Sequence, residues 1–181
     1  GAVYIFRTTD GGNTYAEADI LTASDAAMDS SFGYSVAIAG NTVVVGAYKK
    51  DDYTGAVYVY RASDGAELAK LTANDAAAGD YFGISVAISG NTVVVGAYGK
   101  DGNTGAAYVF RTTDGGATYD QVAKLTSPGA MGDAFGISVA TDGAAVGVAR
   151  ARVEPVLGAG GPPRAARAVE EVHPCVAPGG G

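Results

Sequence analysis

Residues Phe82–Tyr98 read FGISVAISGNTVVVGAY, and residues Phe32–Tyr48 read FGYSVAIAGNTVVVGAY. The opening returns at Phe135 as FGISVAT, so Phe-Gly pairs recur at intervals of 50 and 53 residues. A second segment keeps the same phase: GAVYIFR at Gly1–Arg7, GAVYVYR at Gly55–Arg61 and GAAYVFR at Gly105–Arg111. Self-similarity at this period marks a repeat architecture in which each unit is one supersecondary element.

Each unit resolves into four short strands. In the best-defined copy, strand a is Ser85–Ser89 and strand b is Thr92–Tyr98, joined by Gly90-Asn91. Gly-Asn between two apolar runs is a two-residue hairpin signal, because such turns need positive φ. Strand c is Ala106–Arg111 and strand d Val122–Thr126, with counterparts of d at Ile20–Thr22 and Leu68–Thr72. Val93-Val94-Val95 offers apolar side chains to both faces, as a strand covered on both sides requires. No segment carries a sustained 3.6-residue period. The expected fold is all-β: a partial β-propeller of four-stranded antiparallel blades, about 2.5–3 of them. Two complete units are expected at Phe32–Thr72 and Phe82–Thr126, after a c–d hairpin from a preceding blade.

Two of the c–d connections contain Thr8-x-Asp10-x-Gly12-x-Thr14-Tyr15 and Thr112-x-Asp114-x-Gly116-x-Thr118-Tyr119. These resemble the Asp-box, S-x-D-x-G-x-T-W, found on hairpins of sialidase-type propellers. The resemblance implies a turn staple remote from chemistry, with Asp10 and Asp114 capping backbone N–H groups.

Phe-Gly opening a strand pair that closes on Val-Gly-Ala resembles the FG-GAP repeat. It stands here as Phe32-Gly33…Gly46 and Phe82-Gly83…Gly96, with Phe135-Gly136 opening a third copy that lacks the closing Gly-Ala-Tyr. The resemblance covers residues 1–143 and implies a propeller like the ligand-binding head of integrin α chains. Calcium-binding members of that family carry a D-x-D/N-x-D-G-x-x-D loop between strands a and b. This chain has only Gly40-Asn41 and Gly90-Asn91 there. Hard cations take six or more oxygens, so no metal and no cofactor are expected. Lys49–Asp52 and Asp101–Asn103 read as solvated turns.

The chain carries a formal charge of −7, concentrated in residues 1–143 with 16 acidic against 8 basic side chains. An acidic body argues against nucleic acid as partner. No apolar run reaches membrane-spanning length, so direct membrane insertion is not expected. The single cysteine, Cys175, excludes an intrachain disulfide. The opening on a strand pattern without Met leads to the expectation that an N-terminal part is missing.

Residues 144–181 form a second segment of different composition. All 16 aromatic residues lie at or before Phe135, and five of the six prolines lie after residue 150. By alignment with the repeats, Ala144–Ala149 should read Asn-Thr-Val-Val-Val-Gly and do not. Residues 144–181 are therefore set apart as a low-complexity tail, and residues 150–181 are expected to be disordered. A natural Ala/Gly/Pro/Arg linker and a C-terminus read in a shifted frame from near Asp142 both account for this composition. His173 and Cys175 make no site.

In a four-stranded meander the a–b and c–d turns share one end of the blade, and the b–c and d–a loops share the other. Those second loops gather Asp25, Asp29, Asp51, Asp52, Asp75, Asp80, Asp101 and Asp133 beside Tyr53 and Tyr81, and the candidate ligand-face residues are Asp25, Asp51, Asp52, Tyr53, Asp75, Asp101 and Asn103. Asp80 and Asp133, two residues before Phe-Gly, read as turn caps. No catalytic residue is expected, because residues 1–143 hold no His and only two Glu. Arg7, Arg61 and Arg111 occupy one repeat position and should not converge. The expected function is non-catalytic binding or adhesion outside the cell or at its surface. A protein or glycan would dock on the loop face beside the remaining blades of a longer chain. The alternatives are a sialidase-like secreted hydrolase and a purely structural array.

Overall fold

The computed structural model describes residues 1–129 and 131–151. Among them are twelve strands in chain order. The hairpin β1 (Val3–Arg7) and β2 (Ala16–Leu21) is followed by β3 (Ser35–Ala39), β4 (Thr42–Ala47), β5 (Ala56–Arg61) and β6 (Glu67–Leu71). Then come β7 (Ser85–Ser89), β8 (Thr92–Ala97), β9 (Ala106–Arg111) and β10 (Asp120–Thr126), and the hairpin β11 (Ser138–Thr141) and β12 (Val146–Ala149). β3 to β6 and β7 to β10 are two four-stranded sheets in sequential order, and every pairing is antiparallel. The first strands of successive sheets, β3, β7 and β11, lie side by side. This is a partial β-propeller: two complete blades between a c–d hairpin and an a–b hairpin. Short turns at Lys50–Tyr53 and Lys100–Asn103 join strands b and c, and their inner residues have positive φ and are not α-helical.

The double-sided valine runs explain how the blades stack. Val43 and Val45 face the first hairpin, packing with Val3, Ile5, Leu21 and the following strand's Tyr58 and Tyr60. Val44 points the other way, with Val57 and Val59, into a second core shared with Phe82, Val93, Val95 and Tyr108 of the next blade. Val43, Val44, Val45, Val57, Val59, Val93 and Val95 are fully buried, worth about 1.5–3 kcal/mol apiece in transfer from water. Phe32 and Phe82 sit at corresponding points of the two cores. Phe32 meets Tyr58 and Tyr60 edge-on at 5.5 and 6.1 Å, and Phe82 meets Tyr108 and Phe110 at 5.6 and 6.0 Å. Phe135 is half-buried against the third core, beside Val94 and Val109.

The two glycines of each motif meet across the seam between blades. A Cβ on Gly46 would lie 2.0 Å from the Gly83 carbonyl oxygen, and one on Gly96 would lie 1.9 Å from that of Gly136. The same carbonyls accept the Ser35 and Ser85 hydroxyls at 2.8 and 2.9 Å. Gly33, Gly83 and Gly136 hold φ near +90°, a region open to glycine without strain. Their N–H groups close strand b of their own blade, donating to Gly46, Gly96 and Ala149 carbonyls.

That last bond carries the sheet past residue 143. β11 and β12 pair over Ser138–Thr141 and Val146–Ala149, in the position of strands a and b. The segment set apart as tail therefore contains a blade strand, despite its altered sequence. Pairing draws on the backbone, and only Val146 and Val148 are needed to face the third core. Asp142 supplies the turn in place of Gly-Asn, its carboxylate accepting the N–H groups of Ala144 and Ala145 at 2.9 and 2.7 Å. The disorder expected over 150–181 concerns residues that, from 152 on, lie outside those described.

Candidate functional site: the loop face

Hydrogen bonds sort the turns into two ends. At one, Asn41 in the a–b turn accepts the Ala62 N–H through its carbonyl, and its side chain donates to Ser63 in the c–d connection. Asp10 and Asp114 lie at this end. Asp10 accepts from Thr8 Oγ1 (2.7 Å), Thr14 N (2.9 Å) and Thr14 Oγ1 (2.6 Å); Asp114 repeats this with Thr112 and Thr118. The hydrogen bonds from Thr14 and Thr118 hold both carboxyls well below the usual carboxylate range. Every hydrogen bond that either carboxylate accepts within the protein comes from its own turn.

At the other end the b–c turns reach the d–a loops of the next blade. Asp51, Asp52 and Tyr53 have φ of 51°, 55° and 63°, a left-handed run. Asp101, Gly102 and Asn103 repeat it. Asp, Asn and Gly tolerate this region best, because a short polar side chain or none relieves the Cβ clash. The turn directs carbonyls at the neighbouring blade: Asp52 O accepts from Gly79 N (3.2 Å), Tyr53 O from Tyr81 N (2.8 Å) and Asn103 O from Ala134 N (3.0 Å). Asn103 is thus a backbone anchor between blades.

Lys50, expected in a solvated turn, and its counterpart Lys100 point inward and are 7% and 6% exposed. Lys50 donates to the Asp25 carbonyl at 2.8 Å and pairs with its carboxylate at 3.4 Å. Asp25 also receives Tyr58 Oη at 2.5 Å and Lys70 Nζ at 2.6 Å. Lys100, Asp75, Tyr108 and Lys124 build the same staple one unit on, with Lys100 donating to the Asp75 carbonyl. Asp25 and Asp75 therefore lie on the loop face, but their carboxylates are occupied in locking the d–a loop to strands c and d. Repetition of Asp, Lys and Tyr at 50-residue spacing (25/75, 50/100, 58/108) was the sequence signal for this staple.

The staples carry a pH dependence. The hydrogen bond from Lys70, then that from Tyr58, draws the Asp25 carboxyl down to about 2 from an ordinary 3.8. For Asp75, burial pushes upward, and Lys124 and Tyr108 outweigh it, again leaving about 2. The unfolded chain binds these protons more readily, so their contribution is complete above about pH 4 and lost as pH falls towards 2. Acid unfolding followed by circular dichroism should show stability falling in that window. Asp25→Asn and Asp75→Asn together should flatten the fall. Burial and the adjoining aspartates push the Tyr58 and Tyr108 hydroxyls far up, so they remain donors throughout.

Asp80 is buried at 5%, accepts the Ala77 N–H and pairs with Lys100 Nζ at 2.9 Å, a loop cap as expected. Asp133, 4% exposed, receives Arg150 Nη1 at 3.3 Å. The outward-facing acids are Asp51, Asp52 and Asp101 on the b–c turns and Asp29 in the first d–a loop. Asp51 and Asp101 have side chains 69% and 62% exposed, with looser contacts to Lys50 (3.9 Å) and Lys124 (3.4 Å).

Beside them lies a feature that only Tyr53 and Tyr81 hinted at in the sequence. Tyr81 stacks on Tyr98 at 4.8 Å and 12°, touches Tyr48 at 5.9 Å and meets Tyr53 at 5.3 Å. Tyr34 adds an edge contact to Tyr48 at 4.5 Å. Five tyrosines from four separate segments converge on the loop face between the two complete blades.

A stack of sequentially paired antiparallel sheets, sealed by Phe-Gly and Gly-Ala at each seam, defines a propeller-blade repeat protein. The FG-GAP repeat family model matches residues 15–60 and 62–110, together just over half of the chain, and the chain belongs to that family. The matched units run in the order d-a-b-c, one strand out of phase with the sheets. No curated protein matches the chain.

Proposed function

We propose that this chain is a non-catalytic binding or adhesion propeller of the integrin-α-like kind, working outside the cell or at its surface. FG-GAP repeats are generally found in binding or adhesion-type propellers. Its loop face takes a protein or glycan partner that is basic or bridged by a cation. The observation that carries this reading is the exposure of Asp51, Asp52 and Asp101 on turns anchored to the next blade, while Asp25, Asp75, Asp80 and Asp133 are committed to the fold. Loops on a rigid scaffold are where binding usually sits, and outward charge governs the rate of encounter.

One placement and one contact weigh against a sialidase-like hydrolase. Arg7, Arg61 and Arg111 end strands of three different sheets. Tyr60 does donate to Glu67 at 3.2 Å, but Tyr60 is buried and also donates to the Thr22 carbonyl. A hydroxyl buried and bonded in this way is poorly placed to act as a nucleophile.

Association of a hexalysine peptide tests the loop-face reading. Asp51→Asn, Asp52→Asn and Asp101→Asn combined should slow association about tenfold at low salt and flatten its salt dependence. Glu17→Gln, Asp64→Asn and Asp120→Asn remove the same charge at or near the opposite end and should change little. Equal effects of the two sets would rule the reading out.

A further inference from the structure

Within the stack, the aromatic rings of strand c are covered by the blade before them. Tyr58 and Tyr60 pack with Val3, Ile5 and Leu21 of the first hairpin and are 0% and 1% exposed. Tyr108 and Phe110 pack in the same way with Val57, Val59 and Leu71. Tyr4 and Phe6 hold the corresponding positions on β1, yet they are 53% and 55% exposed. Val36 and Ile38 on β3 are exposed as well, whereas their counterparts Val86 and Ile88 lie half-buried against the second core. An apolar face of this kind marks an interaction site.

The opposite end of the stack is open in the complementary sense. Ala107, Val109 and Leu125 stand where Val57, Val59 and Leu71 stand one blade earlier. Leu125 is half-buried there, while Leu21 and Leu71 are buried. Backbone pairing repeats the pattern. Among the described residues β1 pairs only with β2, a c–d half, and β12 only with β11, an a–b half. An open strand edge is a template for pairing with another chain. Charge agrees with shape. Each internal seam joins an aspartate of one blade to a strand-d lysine of the next, Asp25 to Lys70 and Asp75 to Lys124. At the two end faces Gly129 stands at the aspartate position and Ile20 at the lysine position, so bringing them together strands neither charge.

We propose that the two end faces cover each other between two copies of the chain: β12 of one copy pairs with β1 of the other, completing a four-stranded blade and seating Tyr4 and Phe6 on Val109 and Leu125. Each copy supplies two complete blades and two halves, so a ring of two copies holds six. That lies within the range of about four to eight blades in which propellers close. Head-to-tail contacts of this type form closed rings when the rotation between copies permits. One residue keeps the shared seam looser than the internal ones. Ala149 stands opposite Ser138 as Gly46 and Gly96 stand opposite Ser35 and Ser85, so the second copy's Gly33 must stand back from its methyl group.

Sedimentation equilibrium of the full chain is the test. The wild type should sediment as two copies of the 17.9 kDa chain. Tyr4→Lys with Phe6→Lys should leave single copies with an unchanged circular dichroism spectrum, since both side chains are already exposed. Ala149→Leu should separate the copies from the other face. Mixing these two variants should restore a pair, because each keeps the face that the other has lost. Ala149→Gly should tighten the wild-type pair about tenfold. If the lysine variant is misfolded, Tyr4→Ser with Phe6→Ser serves, with the same expectation. A wild type that stays single at every concentration, a pair that survives the Tyr4 and Phe6 changes, or variants that stay apart when mixed overturns the proposal. So does a pair lost on removing residues 152–181, which would put the contact in that segment, and growth past two copies overturns the ring.

Discussion

Phe82→Ala is expected to cost about 3–5 kcal/mol of folding stability, the range for removing a fully buried aromatic ring from a core. Phe82 is 1% exposed and lies where two blades meet, edge-on to Tyr108 and Phe110. Its neighbours Val93, Val95 and Leu71 sit on paired strands and cannot close the void without breaking register. The loss therefore includes a cavity as well as transfer from water. Denaturant unfolding measures it, with the midpoint falling and the slope unchanged. A loss below about 1 kcal/mol would mean that the seam collapses freely and that this ring does not hold the blades together.

Asp80→Ala should be comparably severe for a different reason. Asp80 and Lys100 are both 7% exposed at their side chains and 2.9 Å apart. Removing the carboxylate leaves a buried ammonium with the Asp75 carbonyl and a carboxylate at 3.6 Å. Stranding one member of a buried pair costs about 3–5 kcal/mol, whereas replacing both by apolar residues is often close to neutral. Asp80→Leu with Lys100→Met should thus recover most of the loss, and a double-mutant cycle reads the coupling directly. Asp80→Ser, matching Ser30 in the preceding unit, should cost less than alanine, since Lys50 there is held without an aspartate at that position. An alanine variant as stable as the wild type would show that the pair contributes nothing.

What the sequence disclosed followed from local rules. Strands a, b and c came within a residue because side-chain alternation and the Gly-Asn turns are properties of neighbouring residues, whereas the first d strand begins at Ala16, four residues before the expected Ile20. The assignment of turns to two ends followed from strand order alone. What it hid were contacts between loops many residues apart. Lys50 reads as solvated beside two aspartates, yet its partner Asp25 is 25 positions away, and burial follows from that bond. Asp25 and Asp75 look like Asp51 and Asp101 in composition; only geometry divides staple from exposed acid. The strand at Val146–Ala149 is hidden in the sequence because its side-chain pattern departs from the repeat while its backbone does not, two inward valines being sufficient. The left-handed run at Asp51–Tyr53 left one local trace, its Asp-Gly-Asn counterpart, and Tyr53 disguised it.

The identity of β4 and β8, both TVVVGA, has a consequence for how the chain reaches this structure. Either strand can satisfy the edge of β3 or of β7 with the same side chains, so the sheet interior cannot tell a correct pairing from one displaced by a whole unit. Chain connectivity must make the choice. Closing a two-residue hairpin is cheaper than closing a loop of some fifty residues by about 3 kcal/mol of chain entropy. The a–b hairpins should therefore form before the blades dock, which keeps equivalent strands from exchanging places. Lengthening the Gly40-Asn41 turn with a flexible insert would erode that margin, and exchange between copies of the chain would become the characteristic failure of refolding.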